Sequence, residues 1–299
     1  MHEVTGKHIS LLFSLALVAG VLASGCTTTD RDQHSPASLF SSPAPLSFPE
    51  HSSEPLDPDA AAAKFNEYVQ KINSIWLKSR FSTTYINSSG KSQLETGISY
   101  IISIPSEGKL YMSVQSVGLA QIIIGSNSDE YWIVDYNSRE AWVGKTSISS
   151  SSFYEISPSL IHPLDIIALL ALHKIPDNAS CQLVDDHIAE NEYQFEFSRH
   201  HSRLKTTLAI AANGERDYSV RLEEPNLGIS ASSRLWAFEK LEGQDVHLPT
   251  KFSLTSNLAN IDMRVDVIEA RINSADKDLF SPEMHLANIP TDNIKVLHD

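Results

Sequence analysis

Alternation is the feature that most constrains this chain. Between Leu94 and Ile104, the residues Leu94, Thr96, Ile98, Tyr100, Ile102 and Ile104 alternate with Glu95, Gly97, Ser99, Ile101 and Ser103. A period of two marks a half-buried β-strand, because successive side chains leave a strand on opposite sides. Leu110, Met112 and Val114 repeat the pattern after the Pro105–Gly108 turn. Shorter runs follow at Gln121–Gly125, Tyr131–Asp135 and Ala141–Gly144, separated by residues of hairpin-turn composition. Beyond mid-chain the runs resume at Cys181–Val184, Glu192–Phe197, Thr206–Ala211, Tyr218–Leu222, Ser233–Phe238, Thr250–Leu254 and Ile261–Ile268. The expectation is a mainly β (α+β) protein of about a dozen mostly antiparallel strands in a large, bent sheet.

Two segments break the alternation. In Pro158–Pro176, Leu164, Ile166, Ile167, Leu169, Leu170 and Leu172 are too continuous and too rich in Leu and Ala for a half-exposed strand. Pro163 starts a helix there and Pro176 ends it. A helix apolar around most of its circumference has to be covered on nearly every side. Nearer the amino terminus, Asp57 is placed as an N-cap, with Pro58 at the first helical position and Asp59 beside the positive helix end. Phe65, Val69, Ile72 and Trp76 then form one apolar stripe, as for a helix packed on a sheet.

Ahead of this domain, Ile9 to Ala23 is apolar and is closed by Ser24, Gly25 and Cys26. About 15 helical residues are too few to cross ~30 Å of hydrocarbon, so the run reads as a secretory signal. The bland alternative is an uncleaved amino-terminal helix. The cysteine at the cut resembles the lipobox of bacterial lipoproteins, with Ala23 where that family prefers Leu. The resemblance implies a thioether to diacylglycerol on Cys26 and an acylated new amino terminus. Such chains hold a protein on a bilayer firmly, where one alone is marginal. Thr27 stands where the inner-membrane members carry Asp, which implies the outer membrane, with the domain facing the periplasm. The expected divisions are a signal peptide over 1–25, a lipidated cysteine and Ser/Pro-rich tether over 26–56, a domain over 57–272 and an extension over 273–299.

Composition agrees with this address. The net charge of −14 argues against nucleic acid and against a polybasic grip on lipid. Only Cys26 and Cys181 are present. With Cys26 lipidated, no disulfide is possible, and Cys181, among apolar and small residues, reads as a buried inert thiol.

The order of elements resembles the LolA/LolB-like fold, and within it the outer-membrane lipoprotein receptors. The opening helix, the strand at Ser79–Ile86, the run Pro163–Leu172 followed by Ile175-Pro176, and Leu248–Leu254 lie where that family has its corresponding elements. The tract Ser116-Val117-Gly118-Leu119 falls where those receptors carry a Pro-Leu-Gly loop. The resemblance implies an open half-barrel with the helices across its concave face, binding acyl chains or acylated proteins. On this reading Ile98, Tyr100, Ile102, Met112, Val114, Leu169 and Leu172 line the cavity, and Val117 and Leu119 form a loop tip. Burying each methylene contributes about 0.8 kcal/mol without any specific chemistry. The competing readings are an ordinary filled core and an envelope interaction or sensor module on the same fold. Expected partners are membrane lipid through Cys26, acylated cargo or a periplasmic carrier, with the chain itself a monomer.

Catalytic motifs are missing from the sequence: no Gly-x-Ser-x-Gly, His-Glu-x-x-His, phosphate-binding Gly loop or Cys-x-x-Cys occurs. The chain therefore reads as a non-enzyme, with no cofactor beyond the lipid and no metal. His200-His201, flanked by Arg199, Arg203 and Lys205, reads as a polar hairpin tip, because neighbouring strand residues point apart. Asp185-Asp186-His187 with Glu190 and Glu192 lacks calcium-loop spacing and reads as a solvated turn. Tyr131, Trp132, Tyr136 and Trp142 read first as cross-strand packing and second as a surface patch for lipid or glycan.

Overall fold

A computed structural model describes residues 56–86, 92–116, 121–146, 161–184, 191–199, 202, 204–213, 216–257 and 261–297. Cys26, the tether, Val117, Leu119, Asp185–Glu190 and His200-His201 lie outside the described residues. Among the described residues the fold is one sheet of fourteen strands, mostly antiparallel, with three α-helices. The first half of the chain gives β1 (Ile75–Ile86), β2 (Ser92–Ile104), β3 (Lys109–Ser116), β4 (Gln121–Ser126), β5 (Glu130–Asp135) and β6 (Glu140–Lys145). The second half gives β7 (Ser180–Val184), β8 (Glu192–Ser198), β9 (Lys205–Ala211), β10 (Tyr218–Glu224), β11 (Ile229–Lys240), β12 (His247–Ser256), β13 (Ile261–Ile272) and β14 (Ile294–Leu297). Across the sheet the order is β14-β6-β5-β4-β3-β2-β1-β13-β12-β11-β10-β9-β8-β7. Each half is thus a meander of neighbouring hairpins, and the β1–β13 pair joins the halves.

Helix α1 (Pro58–Gln70) begins as the sequence predicts. The Asp57 carboxylate accepts from the backbone N–H groups of Asp59 at 2.9 Å and Ala60 at 3.3 Å. Phe65, Val69 and Ile72 are buried on the sheet, but Trp76 belongs to β1 and points to the other face, against Tyr100. Helix α2 (Pro163–Leu169) is shorter than expected. It stops because Ala171 takes a left-handed φ of 55°, and the Ser233 hydroxyl accommodates the freed Leu169 carbonyl by donating to it.

The sheet cannot be flat. Helix α2 touches β3 and β4 on one side and β10 on the other. In a flat sheet β3 and β10, six strand spacings apart, would be separated by about 29 Å. A helix of α2's length spans only about 10 Å. The sheet therefore curls around the helix, while its edge strands β7 and β14 remain unjoined, which fits an open half-barrel.

Both faces are used. The helix face carries the main apolar core. The opposite, outer face of β1–β6 is covered by residues 273–297, which turn at Asn273 and run through α3 (Pro282–Leu286) into β14. The Asn273 side-chain oxygen accepts from the N–H groups of Asn73 and Ser74. His285 stacks on Tyr111 at 5.3 Å and Trp132 at 5.9 Å, and Phe280 packs with Ile102 and Ile104. Strand β14 then pairs parallel with β6, covering that edge.

Candidate functional site

Among the described residues the helix face carries the largest apolar cluster. Leu110, Met112 and Val114 of β3, Ile122 of β4, and Tyr131 and Ile133 of β5 line one side. Phe195, Leu208, Val220, Leu222, Leu235 and Phe252 line the other. Helix α1 covers part of it through Phe65, whose ring meets Tyr218 edge-on at 5.1 Å. Helix α2 fills the centre: Ile166, Ile167 and Leu169, followed by Leu172, are all nearly inaccessible to solvent.

One charged side chain enters this apolar region from α2. Asp165 is 0 % exposed, and its partner Arg199, just after β8, is 7 % exposed. The guanidinium bonds to the Asp165 carboxylate through Nη2, donates from Nε to Thr206 Oγ1 at 2.9 Å, and from Nη1 to the Leu164 carbonyl at 3.2 Å. Nη2 also reaches Ser202 Oγ at 3.3 Å. A buried charge requires a partner and further hydrogen bonds, and this arrangement supplies both. Arg199 thereby fixes α2 to the sheet through both side chain and backbone.

Two histidines flank the ion pair. His162 caps α2, its Nδ1 accepting from Leu164 N–H at 3.2 Å, and its ring meets Tyr131 at 4.8 Å. Burial depresses the His162 pKa from 6.5 to about 4, against an upward pull from Asp165 and with a further push down from Arg199. His173, in the turn after α2, is lowered to about 4 by burial first and then by Arg199. Both imidazoles are neutral at pH 7.

The predicted cavity residues divide between the faces. Met112, Val114, Leu169 and Leu172 lie in the helix-face core. Ile98, Tyr100 and Ile102 do not: Ile102 packs with Phe280 on the outer face, and Tyr100 lies under Trp76 and Lys78 there. The helix-facing set of β2 is Gly97, Ser99, Ile101 and Ser103, because Ile101 pairs with Leu77, which is in the main core. The more apolar face of this strand is the outer one, where Ile102 and Ile104 pack with Phe280. Cys181 is likewise exposed rather than buried, because β7 is an edge strand covered on few sides; burial and Asp59 nonetheless push its thiol pKa up. Trp132, Tyr131 and Trp142 are buried, so they form no surface patch. Arg199 was expected at a polar tip. The signal for its true place is Asp165, an acid inside a helix that must be covered all round.

No family model and no curated protein matches the chain. Several solved structures are similar to it. A LolA superfamily protein from Nitrosomonas europaea is 14 % identical, with 74 % of this chain and 97 % of that one covered, at a TM-score of 0.47. A candidate outer membrane lipoprotein-sorting protein domain from Vibrio parahaemolyticus is 7 % identical, with coverage of 76 % and 96 % and a TM-score of 0.46. A DUF1329 family protein from Desulfovibrio piger is 13 % identical, with coverage of 75 % and 96 % and a TM-score of 0.39. Likeness at this level assigns no ligand to this chain.

Proposed function

We propose that this chain is an envelope lipoprotein of LolA/LolB-like fold, anchored in the outer membrane through Cys26, whose helix-covered face receives acyl chains. The observation that carries the reading is the cover itself. An apolar, curved β-surface is closed at its centre by a seven-residue helix that Asp165, Arg199 and Ser233 attach to the sheet. Moving that helix aside would expose apolar surface from both halves of the sheet, with Met112 and Val114 on one flank and Leu208 and Leu222 on the other. Hydrocarbon entering there would meet mostly apolar side chains. The acyl cargo is either free lipid or an acylated protein passed on by a periplasmic carrier. The chain works without catalysis and as a monomer.

A second reading is favoured by how well the side chains of α1 and α2 fill the same face. In it, the domain stays closed and acts as an interaction or sensor module. Lipid extraction and native mass spectrometry of purified Cys26→Ala protein separate the two. Co-purifying acyl lipid, or uptake of a fluorescent fatty acid that Arg199→Ala alters, supports the carrier. Lipid-free protein that takes up no probe, with or without the substitution, removes it. Palmitate labelling lost in Cys26→Ala tests the anchor separately.

A further inference from the structure

The outer face of β8–β13 differs from that of β1–β6: a polar groove runs across it. One depression of about 280 Å³ is lined by Gln194, Glu196, Thr207, Arg221, Glu223 and Ser232, among others. A second, of about 430 Å³, is lined by Trp236, Asp262 and Arg264. Arg234, Ser253 and Thr255 belong to both, so the two are continuous.

Three features make this more than a solvated sheet face. The charges are balanced locally: Arg234 forms two bonds to Asp217, at 3.1 and 2.6 Å, Arg221 lies 3.9 Å from Glu223, and Glu196 lies 2.6 Å from Lys205. Between them the floor carries hydroxyls, with Ser232 and Thr255 paired at 2.7 Å. At one end stands Trp236, a half-buried ring that belongs to none of the apolar clusters among the described residues.

Alternation sends that ring to the outer face with Ser232 and Arg234, and the backbone just after it turns the next aromatic, Phe238, the other way. Ala237 has a φ of 55°, a left-handed conformation that an alanine adopts only at a cost. The β11–β12 register is the same on both sides of it. Strict alternation would therefore send Trp236 and Phe238 to the same face. Instead Phe238 joins Tyr68 and Tyr218 in the core, and Trp236 lines the groove. Thr250 Oγ1 holds the distortion by donating to the Ala237 carbonyl at 2.6 Å.

We propose that this groove binds a neutral oligosaccharide, with Trp236 as the stacking platform and the Ser232–Thr255 hydroxyls and flanking arginines and carboxylates as hydrogen-bonding partners. A polar lining with no net excess of charge discriminates against acyl chains and against polyanions. A sugar ring offers both what an indole face takes, a row of C–H groups, and what the floor takes, hydroxyls that donate and accept. This site lies on the face opposite the helices and is independent of acyl binding.

The test is titration of the full chain, labelled with ¹⁵N in its tryptophan indoles. Chitotetraose and maltotetraose are the probes, and a heparin tetrasaccharide is the anionic control, each to roughly 10 mM, which detects millimolar affinity. The Trp236 resonance, assigned by its loss in Trp236→Phe, should move with at least one neutral probe. Trp236→Ala should weaken that binding by about tenfold or more. The Ser232→Val/Thr255→Val pair should do the same, and it leaves the indole and the core in place if Trp236→Ala fails to fold. A resonance still with both neutral probes, movement with heparin alone, or affinity unchanged in these variants overturns the proposal.

Discussion

Gly125 and Gly144 are where single atoms decide the packing. A Cβ on Gly125 would lie 2.2 Å from the Trp132 ring, and one on Gly144 would lie 2.3 Å from the Tyr131 hydroxyl. Both rings are fully buried, Trp132 under the carboxy-terminal extension and Tyr131 in the helix-face core. Neither has an exit. Gly125→Ala and Gly144→Ala should each cost about 1–3 kcal/mol through overpacking, read from chemical unfolding midpoints. His162 adds a dependence on pH. Its folded pKa of about 4 is below the ordinary 6.5, so the unfolded chain binds the extra proton between those values. Stability is therefore full above pH 6.5 and falls as pH drops toward 4, by up to about 3 kcal/mol from this residue. In His162→Asn, which keeps an acceptor for the helix cap without titrating, the slope of the unfolding midpoint against pH should flatten over that range.

Helix α2 is held by a buried ion pair as well as by its apolar contacts. Removing one side of its ion pair, as in Arg199→Ala, leaves a buried carboxylate uncompensated and should cost about 3–5 kcal/mol. Replacing both, as Asp165→Leu with Arg199→Met, should be far milder, and a double-mutant cycle by thermal or urea unfolding measures the difference. Helix α1 and most strands were legible because each has a clear period in the sequence, and α2 because its continuous apolar run lies between Pro163 and Pro176. What was not legible was which face of β2 points inward. Its richer face, with Ile98, Tyr100, Ile102 and Ile104, looked like the core, and that inference assumes that only one face is covered. Here the extension packs on Ile102 and Ile104 of that face, and the side of β2 in the main core carries the smaller Gly97, Ser99 and Ser103 beside Ile101. The end of α2 was hidden for a different reason: nothing in Leu170-Ala171-Leu172 announces a left-handed alanine, which tertiary bonding from Ser233 supports. Arg199 was misplaced because a cation beside two histidines looks solvated until its distant acid is found. The aromatic pairs of β5 and β6 were readable as packing, but not the face to which each ring would go.

For the whole molecule, residues 273–297 act as the covering of one sheet half and the end of its edge. Phe280 and Ile289, both buried, contribute about 1.5–3 kcal/mol each by area, and β14 covers the edge of β6. Truncation after Ile272 should lower the unfolding midpoint, shift Trp132 emission to the red and promote self-association, measurable by fluorescence and light scattering. The β1–β13 seam carries a further consequence. Every other antiparallel neighbour follows its partner closely along the chain, so each meander can form by itself as it is synthesised. The seam sets Ile75 beside Ile272, and the Asn73–Asn273 bond next to it spans 200 residues. Closing so long a loop is the slow event in such a topology. Until β13 emerges from the ribosome or a translocation pore, β1 has an unzipped flank in the middle of the future sheet. The nascent chain is then two separate leaves that can find the wrong neighbour, and the last strands to be made are the ones that stitch the protein shut.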